Sequence, residues 1–85
     1  MTALDKLQNA KQLYHHLRNE SNDAWREFTG WHKDGEKYPR EGIIDAGDHE
    51  LIAMARERCE ELSRKVARAY QDLQMAHIEF DNEAA

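Results

Sequence analysis

Two long stretches of the chain place residues for burial at alternating steps of three and four. The first runs Ala3, Leu7, Ala10, Tyr14, Leu17, Ser21, Ala24, Phe28, Trp31, and the second Ile52, Ala55, Cys59, Leu62, Val66, Ala69, Leu73, Ala76, Phe80. On a helix that spacing draws every member onto one stripe, the a/d seam of a coiled coil, and it fits no strand period. Gly30 precedes the last member of the first stretch, and Gly35, Pro39, Gly42 and Gly47 fall between the two, where they interrupt a helix. The expected fold is therefore all-α: an antiparallel, coiled-coil-like two-helix hairpin forming a single domain over residues 1–85. Its first helix covers about 3–29, the connecting loop about 30–47 and the second helix about 48–81.

Local signals set those ends. Thr2 and Asp5 have the spacing of a capping box, which satisfies orphan amides at the start of a helix. Gly30 stands where a left-handed residue closes one. Asp48 is the expected N-cap of the second helix, with Asp45 as the alternative, and residues 82–85 are expected to fray. The connection of about 15 to 18 residues is long, because bundled helices are usually joined by about 2 to 8. Ile43 and Ile44 within it should seek burial against Phe28, Trp31 and Leu51, capping the end of the hairpin.

With 85 residues, of which 34% are charged, the chain has little apolar material, and a hairpin offers it only one shared seam. A lone hairpin should fall short of a stable core. A homodimer closing into a four-helix bundle is the simplest remedy. Small seam residues (Ala10, Ser21, Ala24, Ala55, Ala69, Ala76) would let the helices approach closely, with large residues opposite small ones. If the seams meet near the loop, facing residue numbers add to roughly 80. This pairs Leu7 with Leu73, Leu17 with Leu62, Ser21 with Cys59, and Phe28 with Ile52.

Chemistry is sparsely signposted. His15 and His16 are neighbours and point about 100° apart on a helix, so they cannot chelate one ion together. His32 and His49 with Asp45 or Asp48 are the best remaining metal candidates, and the expectation is no metal and no cofactor. His16, Glu20, Asp23 and Glu27 form a stripe that reads as a solvated face. Cys59 lies in the seam, where a thiol serves as a small hydrophobe, and no base is expected beside it. The glycines form no phosphate-binding loop. The expectation is a chain that is not an enzyme.

The formal charge of −5 argues against a general nucleic-acid binder. A basic set does exist: Arg56, Arg58, Arg64, Lys65 and Arg68, with Lys6, Lys11, Arg18 and Arg26. In outline, and with no shared residue motif, the architecture resembles the small RNA-binding dimeric hairpins of the Rop type. That resemblance implies an RNA-binding regulatory dimer as the alternative function, using Lys11, Arg18 or Arg26. No apolar run is long enough to cross a membrane, and residues 1–6 lack the layout of a signal peptide, so a cytoplasmic setting is expected.

Apolar residues outside the seam point toward protein recognition. Met54, Met75 and Ile78 lie off the stripe and Tyr70 flanks it, a set suited to helix-on-helix contact with another chain. In the loop, Trp31, Tyr38, Pro39 and Arg40 are the candidate contact residues, since Trp, Tyr and Arg dominate interface energetics. The expected function is a small non-catalytic interaction module, an adaptor, inhibitor or regulatory subunit that works as a homodimer with a second protein partner.

Overall fold

The computed structural model describes residues 2–30 and 42–84, and among them the secondary structure is entirely helical. Helix α1 spans Ala3–Thr29 and helix α2 spans His49–Ala84, with a short 3-10 turn, Ile43–Asp45, between them. The two helices run antiparallel as a hairpin. Lys6 near the start of α1 meets Glu79 near the end of α2, and Phe28 near the end of α1 lies under Arg56 near the start of α2.

The ends form as elementary capping chemistry dictates. Thr2 Oγ1 accepts from the Asp5 amide at 3.1 Å while the Asp5 carboxylate accepts from the Thr2 amide at 3.4 Å, a complete capping box. Gly30 closes α1 at φ 76° and donates to the Arg26 carbonyl at 2.8 Å, a left-handed geometry that glycine adopts without penalty. Asp48 Oδ1 accepts from the amides of Glu50 and Leu51, both at 3.1 Å, and so caps α2. The C-terminal end differs from expectation: α2 continues through Asn82 and Glu83 to Ala84 instead of fraying after Asp81.

The seam itself is as the spacing requires. Every described member of the two stripes, Ala3 to Phe28 and Ile52 to Phe80, is buried or half-buried, and between them runs a core only one residue wide. Among the described residues only Leu7, Phe28 and Leu62 are large hydrophobic side chains that are buried; the rest of the buried hydrophobic set is Ala3, Ala24, Cys59, Ala69 and Ala76.

The register is displaced by about one helical turn from the expected one. Residue numbers of cross-helix partners add to 84 for Tyr14 with Tyr70 and for Phe28 with Arg56, to 85 for Lys6 with Glu79 and to 88 for Trp25 with Ser63. A sum near 84, not 80, sets Leu7 level with Ala76, Leu62 with Ser21, and Phe28 with Ala55, so large residues face small ones. The expected pairs Leu7 with Leu73 and Leu17 with Leu62 would have stacked large against large and pushed the helices apart. The offset also explains the length of α2, since Ala3 at the start of α1 needs a partner near residue 81.

At the other end the offset leaves the first turn and a half of α2 projecting beyond Thr29. The returning chain fills part of that space. A Cβ added to Gly42 would stand 2.5 Å from Gly30 N, Phe28 O and the Thr29 carbonyl carbon, so only glycine allows the chain to cross the end of α1 here. Asp45 holds the crossing by accepting from the Gly42 amide at 3.1 Å. Ile43 then packs, half-buried, on the cluster of Ala24, Phe28, Cys59 and Leu62. Ile44 and Leu51 do not join it and remain exposed, because a 3-10 turn brings only one of two adjacent side chains inward.

Candidate functional site

The residues expected to meet a partner divide into three groups. Trp31, Tyr38, Pro39 and Arg40 lie outside the described residues, as does His32 of the candidate metal set. Met54, Met75 and Ile78 are exposed on α2, at 70%, 68% and 56%. Tyr70 is also exposed but turns to the opposite flank of the helix, where its ring meets Tyr14 at 5.6 Å.

Helical geometry explains the division. Taking the seam as a and d, Tyr70 occupies an e position beside Ser63 and Arg56, the flank on which Trp25 Nε1 donates to Ser63 Oγ at 3.0 Å. Met54 and Met75 occupy c positions and Leu51 a g position, on the flank marked by the Lys6 to Glu79 ion pair. Met75 and Ile78 come together. They line a shallow groove of about 610 Å³ at the open end of the hairpin, floored by Ala10 and Ala76 and edged by Asp72 and Glu79. Met54 shares their flank, yet about 31 Å of helix separates it from Met75.

Besides Ile44, three further apolar residues are exposed without having been expected as partner contacts. Leu4 and Leu13 widen the apolar stripe of α1, and Leu51 leads α2; all three are about half exposed. The e and g placement of Leu4 and Leu13 was the available signal for them. Trp25, at the same kind of position as Leu4, is instead half-buried within the chain, where its ring meets Phe28 edge-on at 5.9 Å.

The candidate chemical groups are structural in their surroundings. Cys59 is 1% exposed, and burial pushes its thiol above the usual range, with Glu27 and Glu60 acting in the same direction and Arg58 against them. A thiol held protonated is a poor nucleophile. His16 approaches Glu20 at 3.7 Å and the half-buried Arg26 approaches Asp23 at the same distance, with His16, Glu20 and Asp23 exposed on α1. Among the described residues no group of three or more His, Cys, Asp or Glu side chains is arranged to hold a metal ion. Nor is any described helix long and apolar enough to cross a membrane. Every buried side-chain polar atom among the described residues has a partner.

Comparison with protein-family models, with curated proteins and with solved structures finds no match.

Proposed function

We propose that this chain is a small non-catalytic protein–protein interaction module that works as a homodimer of helical hairpins in the cytoplasm, serving a second protein as adaptor, inhibitor or regulatory subunit. One observation carries the reading: the hairpin leaves too much of itself in water. Its accessible surface is 6801 Å². A compact monomer of 10.0 kDa would expose about 5,200 Å².

The shape agrees. The radius of gyration is 17.3 Å and the smallest dimension 15 Å, one helix layer thick. A compact domain of this length would have a radius near 12 Å. With a core one residue wide and methionine, isoleucine and leucine side chains outside it, a second chain supplies the missing layer.

Sedimentation equilibrium from low to high micromolar concentration, with circular dichroism on the same samples, tests the homodimer. A dimer whose dissociation is accompanied by loss of helix is expected. A folded monomer at every concentration overturns the reading. The partner role is tested by affinity capture from the native host with and without nuclease. Protein recovered in both arms supports it, and recovery of RNA alone overturns it.

The RNA-binding alternative has one observation in its favour. On α1, the flank holding Leu4, Gln8, Lys11, His15, Arg18, Asn22, Trp25 and Thr29 carries no carboxylate, whereas the opposite flank holds Glu20, Asp23 and Glu27. Arg56 lies on the same side as Trp25. This reading requires RNA affinity that falls steeply with salt and weakens on replacing Lys11 and Arg18.

A further inference from the structure

Beyond its seam, α2 carries a second stripe of three-and-four spacing that the hairpin does not use. It runs Leu51, Met54, Arg58, Glu61, Lys65, Arg68, Asp72, Met75, Glu79, with Ile78 beside its far end. These are g and c positions, centred about 110° around the helix from the a/d seam, close to the right angle at which a helix in a four-helix arrangement meets its second neighbour. All of these side chains are exposed. The stripe carries Leu51 and Met54 at one end, Met75 with Ile78 beside it near the other, and charges in the middle and at Glu79.

Its order is self-complementary when reversed. A two-fold axis near Lys65 sets Leu51 level with the second copy's Glu79, beside its Ile78, and Met54 with its Met75. The same axis sets Arg58 level with the second copy's Asp72 and Glu61 with its Arg68. Met54 meets Met75, Leu51 meets the turn that carries Ile78 and Glu79, each of the charges Arg58, Glu61, Arg68 and Asp72 meets its opposite, and symmetry makes every pair occur twice. Lys65 approaches its own copy on the axis, where Glu61 of the same chain, 3.7 Å from it, offsets the repulsion.

We infer that the hairpin homodimerises through α2 alone, with the two copies of α2 antiparallel along this g/c stripe and Leu51 and Met54 of one copy entering the groove formed by Met75 and Ile78 of the other. The inference rests on the homodimer reading above and locates its seam. α1 offers no equivalent surface: its g and c positions hold Lys6, Asn9, Leu13, His16, Glu20, Asp23 and Glu27, with a single apolar residue among them. The α1 helices therefore stay on the outside of the dimer.

The pattern of charge supplies a test that leaves the hairpin core untouched. One variant, R58E with R68E, makes the middle of the stripe acidic; the other, E61R with D72R, makes it basic. Each variant alone is expected to self-associate about tenfold or more weakly than the wild type, because like charges then face each other. An equimolar mixture of the two should recover a heterodimer, read by sedimentation and by native mass spectrometry, with circular dichroism recording the helix content of each.

Wild-type self-association combined with undiminished dimerisation of R58E/R68E overturns the α2 seam while leaving the homodimer standing. Two weakened variants that fail to combine overturn the pairing in the same way. A wild-type chain that is monomeric throughout overturns the seam and the homodimer together.

Discussion

The two ends of the hairpin bury the same seam by different means. At the loop end, Phe28, Leu62, Cys59 and Ala24 form a cluster joined by Trp25, Ile43, Ile52 and Ala55, with an indole hydrogen bond across the helices. At the open end, Leu7 is the one large side chain buried among the described residues, accompanied by Ala3, Ala69 and Ala76, and a surface ion pair spans the helices. The difference comes from the returning chain. Gly42 and Ile43 bring a third element against the seam at one end, so side chains there are covered from more directions than two parallel cylinders can manage. The open end has only the close approach that alanine permits, and the groove beside Met75 and Ile78 lies there.

If that contrast governs stability, the largest effect belongs to Phe28. Phe28→Ala removes the ring that meets Trp25 and lies under Arg56, in the best-covered part of the core, and should cost about 3 to 5 kcal/mol in urea denaturation at fixed protein concentration. Leu7→Ala at the open end should cost less, about 2 to 3 kcal/mol. It should also leave amide exchange at the loop end slow while speeding it around residues 3–10 and 73–80. Equal costs for the two substitutions, with exchange accelerated throughout, would show that the ends are one cooperative unit and remove the distinction.

A smaller effect sharpens the loop-end half of the comparison. The Cys59 thiol holds its proton more tightly in the folded chain than in the unfolded one, because burial opposes the thiolate. As pH rises past the ordinary value of 9.0, unfolded chains release that proton first. Stability owed to this group is therefore level below that pH and falls above it, by at most about 1.4 kcal/mol per pH unit. Urea titrations between neutral pH and pH 10 should show a steeper alkaline loss in the wild type than in Cys59→Ala. Matching slopes would mean that water reaches the thiol and that the cluster around it is open.

The same contrast marks what could be read from the chain in advance. Periodicity alone placed every described seam residue, from Ala3 to Phe80, because burial of one stripe is a property of a single helix. It could not place one helix against the other. Sliding the seams by a turn exchanges a positions for d positions and leaves both stripes facing inward, so the hydrophobic pattern scarcely changes. What separates the two registers is size: Leu7 opposite Leu73 is too thick, and Leu7 opposite Ala76 fits. The rule that large should face small was available, and it contradicted the expected sum of 80. The exposed flank of α2 was legible in part. Met54, Met75 and Ile78 stood out as apolar residues off the stripe and Tyr70 as flanking it, while Leu51 was assigned to the loop cap, because its surroundings depend on the register and on the path of residues 42–45.

The smallest expected effect is also the one that most directly probes the open end. Lys6 and Glu79 are 3.0 Å apart, and both side chains remain nearly half exposed, at 47% and 46%. Water and salt screen such a pair, and ordering two long side chains offsets most of the attraction, so its contribution should be under about 0.5 kcal/mol. A double-mutant cycle of Lys6→Ala and Glu79→Ala, followed by thermal denaturation at low and high salt, should return a coupling of a few tenths of a kcal/mol that vanishes as salt is added. If the open end is held together by its alanine layers, neither single substitution will change amide exchange at Leu7 or Ala76. A coupling above about 1 kcal/mol that survives high salt would mean the charges are shielded from water. Shielding there requires something to cover the groove that Lys6 and Glu79 border, as the proposed pairing of two α2 helices would.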